Sequence, residues 1–368
     1  MSIEKTESLP AQQLLDNLKG SPLFWFIKDT SHKSFVQIQH QRVNRTINLG
    51  TGKSKLKLLF EAETLGANPE GKLNEDTFLT IPMGRGRELF AVLDGASSQK
   101  EITGLSQFGI RGAFYVSHLV ALGFPNSSVH QELISRESLT ATDILKTVNT
   151  WLYKQMQKIE GVDYTDPLSI PGMAATFALV DSKKGEVTFA HVADTVACIN
   201  YRNGSFEVPT PNLNEKFDQE TLELAKKLTR ERSCTLPEAM KTTDVREQLR
   251  NSFRRKINAP NGCGILNGMS ALVKNSLIYE TRIKITEDIN SLFLFSDGAL
   301  APFSEGKNLI ETITSFANKY HNPYSRVSVL EEGAQILADD PYFEKIPRTK
   351  SRDDSTFIRI VFLPKASG

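Results

Sequence analysis

The chain has 368 residues, 39% hydrophobic and 24% charged, an ordinary composition for a globular protein. Lys and Arg number 44 against 43 Asp and Glu, a formal net charge of +1. Overall charge therefore draws the chain to neither nucleic acid nor an anionic membrane. Cys198, Cys234 and Cys263 are far apart and form no CxxC pair, which reads as reduced thiols of a cytoplasmic protein and not as a disulfide or zinc framework. The N-terminus has no basic stretch leading into an apolar one, so no leader is expected.

Residues 1–55 are mixed and are set apart as an N-terminal extension. Within them Leu9–Leu18 suits a short helix, and Ser34–Ile47 alternates weakly, as an edge strand or hairpin does. Residues 56–364 then read as one domain, with 365–368 a tail; a domain near that length buries about three quarters of its unfolded surface. Leu89–Leu93 is an apolar run ending in Asp94-Gly95, the pattern of a strand buried on both faces and followed by a turn. Helical spacing of apolar residues follows over Phe108–Leu122 and Ala141–Ile159. Two hairpins come next: Ala175–Val180 with Glu186–Val192 across a loop containing Gly185, and Thr195–Tyr201 with Ser205–Val208 across Asn203-Gly204.

Residues 205–280 look like an insertion, polar and helical over 214–258. It returns through the glycine-rich 261–268, which lacks the Lys-Ser/Thr of a phosphate-cradling loop. Leu292–Phe295 is a second buried-strand run, ending in Ser296-Asp297-Gly298. Helices are expected over Leu309–Tyr320 and Val327–Ala338, and Phe357–Leu363 is the last strand. Hairpin-linked strands with separate helical pairs predict an α+β layered sandwich, not a parallel doubly wound sheet.

The chemistry lies in acids placed beside apolar strands: Glu75-Asp76, Asp94-Gly95, Asp194, Asp297-Gly298 and Asp353-Asp354. Singly, Asp-Gly is ordinarily just a turn. A carboxylate against a buried strand is costly unless compensated, however, and several meeting at one sheet end would repel. A divalent cation resolves both problems, and oxygen ligands without a His or Cys cluster favour Mg²⁺ or Mn²⁺ over zinc.

Six segments in order, NEDTF, LFAVLDGAS, GMAATFALV, FAHVADTVACI, LFLFSDGAL and RDDSTFIRIVF, resemble the metal-dependent protein phosphatases of type 2C in a bacterial-like variant, across roughly residues 58–364. The resemblance implies a four-layer α-β-β-α sandwich, two antiparallel sheets flanked by helices, with 205–280 as a flap-like subdomain. It also implies hydrolysis of phosphoserine or phosphothreonine on proteins at a centre of two Mg²⁺ or Mn²⁺ ions. Carried over by position, Glu75, Asp94, the Gly95 carbonyl, Asp297 and Asp353 would be the ligands. Asp94, Asp297 and Asp353 would carry catalysis through the water activated there. Asp76 and Asp354 would support these ligands by hydrogen bonding, and Asp194 matches the acid tied to a third, weakly bound metal.

Departures from the family pattern fall on the phosphate side. The usual phosphate-binding Arg position is Gly71 here, leaving Lys72, Arg85 or Arg87 as candidate contacts, although exposed hairpin charge is the simpler reading of all three. Ala96 follows Asp94-Gly95 where many members carry a His acid, so the leaving group would take its proton from water. Ala193 replaces the Gly of the Gly-Asp-Ser turn, which counts against a third metal. His191 reads as a strand-face histidine and Cys198 as core. Gly71 and Ala96 lend some weight to a pseudophosphatase that binds phosphoproteins or regulators without turnover. The acids alone would equally suit a small phosphate-ester hydrolase.

Overall fold

A computed structural model of the chain describes residues 40–49, 56–67, 73–96, 100–107, 110–235, 238–239, 242–320, 328–340, 345–346 and 353–363. The expected Leu9–Leu18 helix, Gly71, Lys72 and the 365–368 tail lie outside the described residues. Eleven strands are described: β1 (His40–Leu49), β2 (Leu56–Leu65), β3 (Thr77–Pro82), β4 (Arg87–Ala96), β5 (Gly172–Asp181), β6 (Glu186–Val192), β7 (Val196–Tyr201), β8 (Phe206–Glu207), β9 (Tyr279–Lys284), β10 (Ile289–Phe295) and β11 (Ser355–Phe362). They form two sheets, β1-β2-β11-β10-β7-β8 and β3-β4-β5-β6-β9. Every pairing between neighbouring strands is antiparallel.

Strand alternation builds the layers, because successive side chains face opposite ways. In β4, Leu89, Ala91 and Leu93 pack under the helices Gly112–His118 and Ala141–Met156, while Phe90 and Val92 join Phe60, Phe189, Leu292 and Ile358 between the sheets. In β10, Leu292 and Leu294 face that inter-sheet core, and Phe293 and Phe295 face Phe316 of the outer helix Leu309–Lys319. Both runs are thus apolar throughout because both faces are buried, and the fold is the expected α-β-β-α sandwich. Two helix starts are fixed by reciprocal caps, Thr140 with Asp143 and Asn308 with Glu311.

The structure differs from the sequence expectation in two places. Asp94-Gly95-Ala96 is not a turn: it is the end of β4, paired with Ala174, Met173 and Gly172 of β5. The helix expected from Phe108 begins at Gly112 and passes into a π-helical turn over Leu119–Gly123. β1 covers the described part of the stretch that reads as an edge strand or hairpin, and it pairs along its whole length with β2 as a sheet edge. The inserted segment carries helices Glu215–Glu231 and Thr243–Arg254, packed through Ala225, Leu228, Val245 and Leu249.

Candidate active site

The two sheets present their β4, β6, β10 and β11 ends to one cleft of about 680 Å³, whose lining includes Glu75, Asp94, Gly95, Asp194, Asp297 and Asp353. Each acid arrives by a short local device. Asp94 lies two residues before the end of β4, Asp297 opens the helical turn Asp297–Leu300 after β10, and Asp353 precedes β11. Gly298 must be glycine, since a Cβ there would run into the Asp354 carbonyl. At Gly95 a Cβ would lie 2.6 Å from the Glu75 carbonyl oxygen and 3.0 Å from that of Ala113, so its bare backbone lets β4 close against the Glu75 segment.

Glu75 is held from three sides. Its N–H donates to Asp354 Oδ2 at 2.8 Å, its carbonyl accepts from Ser117 Oγ at 2.6 Å, and Arg111 Nη1 lies 3.5 Å from its carboxylate. Asp354 uses its other oxygen to accept the Ala67 N–H at 2.6 Å. It therefore clamps two main-chain segments and does not border the cleft.

Asp76 sits behind the cleft, 2% exposed, with Oδ2 buried and without a hydrogen-bond partner. Burial first, then the charges of Asp354 and Asp353, push its carboxyl well above the usual carboxylate range, against a lowering contribution from the Ser296 hydroxyl. Asp94 is pushed up likewise, by burial and then by Asp76, Asp297, Asp194 and Asp353. All-oxygen donors whose charges oppose one another, backed by an unsatisfied buried carboxylate oxygen, fit a hard divalent cation. Among the described residues, no three acid, His or Cys side chains converge tightly enough to form a ready-made cage; the carboxylates face one another around the cleft.

The candidate phosphate contacts are placed elsewhere. Arg87 starts β4 and Asp94 lies seven residues on, near its other end, a span of about 23 Å. Its guanidinium donates to the carbonyls of Met83, Gly84, Ile134 and Arg136, tying β4 to the helical layer. Arg85 is exposed, 3.9 Å from Glu137, and both arginines border a different cavity with Arg45 and Lys183. Neither contacts this cleft, because the strand itself holds them at its far end.

His191 is fully buried, with Thr176 Oγ1 2.9 Å from Nδ1 and the Pro211 carbonyl 2.8 Å from Nε2. Burial lowers its pKa to about 4, so it is a neutral structural residue. Cys198 is buried among the outer aromatics, its thiol pushed up to about 12. Ala193 adopts φ +68°, the left-handed conformation that glycine would accept freely. The cleft also holds residues that the sequence reading passed over: Arg111, and Arg250 and Arg254 from the inserted segment. Their one sequence signal is the four-residue spacing of Arg246, Arg250 and Arg254.

A two-sheet sandwich with an acid-lined cleft at its strand ends is the framework of a metal-assisted hydrolase. Residues 67–339 match the family model described as Protein phosphatase 2C. The chain belongs to the protein phosphatase 2C family, and so to the protein serine/threonine phosphatases. No curated protein sequence matches it. Similar solved structures include the serine/threonine phosphatase Stp1 from Staphylococcus aureus, at 15% identity and TM-score 0.42 over 89% of this chain and 96% of that one. They also include the Mycobacterium tuberculosis serine/threonine phosphatase PstP/Ppp, at 15% and 0.41 over 88% and 99%, and RsbX in complex with magnesium, at 10% and 0.40 over 87% and 100%. Among the described residues no helix is long and apolar enough to cross a membrane.

Proposed function

We propose that this cleft hydrolyses phosphoserine and phosphothreonine esters of proteins with two Mg²⁺ or Mn²⁺ ions held by Glu75, Asp94, the Gly95 carbonyl, Asp297 and Asp353. Asp194 is the ligand proposed for a third, weaker ion. The observation that carries the reading is the meeting of these carboxylates around one cleft, with Asp94 and Asp76 raised first by burial and then by the charges of neighbouring acids. When bound, the divalent ions lower the pKa of an attacking water and offset phosphoryl charge.

The chain's own residues supply position. Asp354 and Ser117 fix the Glu75 main chain, and Arg111 restrains its carboxylate at the cleft wall. Asp76 stands behind the ligands with a buried carboxyl oxygen that has no hydrogen-bond partner. Ala96, which borders the cleft, has no proton to give, so the leaving alkoxide takes its proton from water. No cysteine is used: Cys198 is core, and Cys263 packs with the inserted segment.

The test is phosphate release from a phosphothreonine peptide and from p-nitrophenyl phosphate, with Mn²⁺, with Mg²⁺ and with EDTA. Turnover should require metal and fall at least about 100-fold in Asp94→Asn and Asp297→Asn, the scale expected when a group acting on the transition state is lost. Metal-independent turnover, or turnover unchanged in both variants, refutes the assignment. Hydrolysis of the aryl ester alone would redirect it to small phosphate esters.

A further inference from the structure

The inserted segment carries a row of arginines at helical spacing. Arg246, Arg250 and Arg254 lie four residues apart on the helix Thr243–Arg254. Residues at that spacing share a face, and like charges so placed destabilise a helix. Arg250 and Arg254 border the acid-lined cleft. Arg254 is 9% exposed, and burial, followed by the charge of Arg250, lowers its guanidinium to about 10.

Neither side chain donates a hydrogen bond to, or pairs with, any described residue. Other cations of the same segment do have acid partners: Arg232 has Asp244 and Lys256 has Glu220. A guanidinium withdrawn from water without a carboxylate is costly. Its planar fork of donors is the group that recognises phosphate, and it borders the same cleft as carboxylates suited to cations.

We propose that Arg254 and Arg250 are the anion-recognising side of this cleft, and that the preferred substrate is a phosphopeptide with acidic residues on one side of the phosphorylated residue. The proposal rests on the phosphatase reading of the same cleft. Arg254, the most buried of the three, takes the phosphoryl oxygens and so does the work that the Gly71 position leaves undone. Arg250 and Arg246 lie successively about 6 Å further along the helix. An extended peptide advances about 3.3 Å per residue, so each step matches a shift of about two residues. Acidic groups two and four positions from the phosphoresidue meet the two outer arginines.

The experiment uses phosphothreonine peptides identical except for Asp, Ala or Lys two and four positions to either side. Turnover is measured with Mn²⁺, and binding of the fluorescein-labelled peptides is measured by anisotropy in EDTA. In the wild type, Asp flanks on one side should lower KM about tenfold against Ala flanks, with kcat within about twofold, the size of one or two partly exposed charge contacts. Arg250→Ala should abolish the preference and Arg250→Glu reverse it toward Lys flanks. Arg254→Met should raise KM about 10- to 100-fold for every peptide, as loss of a charge-assisted bond predicts, while Mn²⁺ affinity stays within twofold.

A wild type indifferent to flank charge, or a preference that survives Arg250→Glu, overturns the proposal; Arg250 is exposed, so these variants do not depend on Arg254→Met folding. Charge-selective binding lost in Arg250→Ala, without turnover of any peptide, keeps the arginine subsite and removes the phosphatase reading instead.

Discussion

Asp354→Asn separates holding a proposed ligand, Glu75, from being one. Both Asp354 oxygens are committed, Oδ1 to the Ala67 N–H at 2.6 Å and Oδ2 to the Glu75 N–H at 2.8 Å. Asparagine has the same shape but one acceptor oxygen and one NH₂. Whichever way the amide turns, one of these N–H groups then faces a donor. A buried N–H left unmet costs about 1–3 kcal/mol, and the surviving bond loses its charged acceptor, about 1 kcal/mol more. Removing a negative charge near Asp76, whose carboxyl Asp354 helps to raise, offsets part of that loss. The net expectation is a loss of about 1–3 kcal/mol, read as a lower urea midpoint in EDTA. Glu75, freed at its main chain, should also bind Mn²⁺ about tenfold or more weakly by calorimetry, as loss of an outer partner does elsewhere. An Asp354→Asn protein of wild-type stability and wild-type Mn²⁺ affinity would show that this clamp does not position Glu75.

Three further outcomes follow from single contacts. Gly95→Ala drives a methyl into the Glu75 and Ala113 carbonyls, so it should cost about 1–3 kcal/mol by overpacking and lower metal affinity, both read in the same two assays. Burial raises the Glu88 carboxyl to about 7 from an ordinary 4.5, with Arg45 opposing. The folded state therefore holds that proton more tightly, and the stability is fully present below pH 4.5 and lost as pH climbs through 7. The side chain is 3% exposed, so Glu88→Gln should gain on the wild type by about 2–3 kcal/mol between pH 5 and pH 8; denaturation midpoints that stay parallel over that range refute it. At Ala193, relief of about 1–2 kcal/mol of left-handed strain opposes the loss of a buried methyl worth about 0.8 kcal/mol and the extra freedom of unfolded glycine. Ala193→Gly should therefore melt within a few degrees of wild type, while the β-branched Ala193→Val should be clearly destabilised in the same calorimetric scan.

Much of the architecture was legible because burial on two faces leaves a mark in sequence. Leu89–Leu93 and Leu292–Phe295 are apolar without interruption, since each alternate residue meets a helix layer or the other sheet. Helix starts were legible where a cap was spelled out, as at Asn308 with Glu311. What misled was Asp94-Gly95. The pair reads as a turn, yet main-chain pairing with β5 continues through both residues, and the glycine is needed for closeness to Glu75 and not for a bend. Spacing along a chain cannot report an approach made by a segment twenty residues away.

The same limit explains why the acids were found and the arginines were not. A carboxylate beside an apolar strand announces its cost locally, so Glu75, Asp94, Asp297 and Asp353 stand out from their own neighbours. Arg250 and Arg254 sit in a polar helix, where four-residue spacing of charge is also the mark of a solvated face. Only the fold distinguishes the two cases, by burying Arg254 at a cleft wall without an acid partner among the described residues. Arg85 and Arg87 show the converse: near the motif in sequence, they are carried to the far end of β4, and Arg87 is consumed by carbonyls there. A cation's function is decided by what its fold leaves it to pair with, and in this cleft the remaining partner is the substrate's own charge.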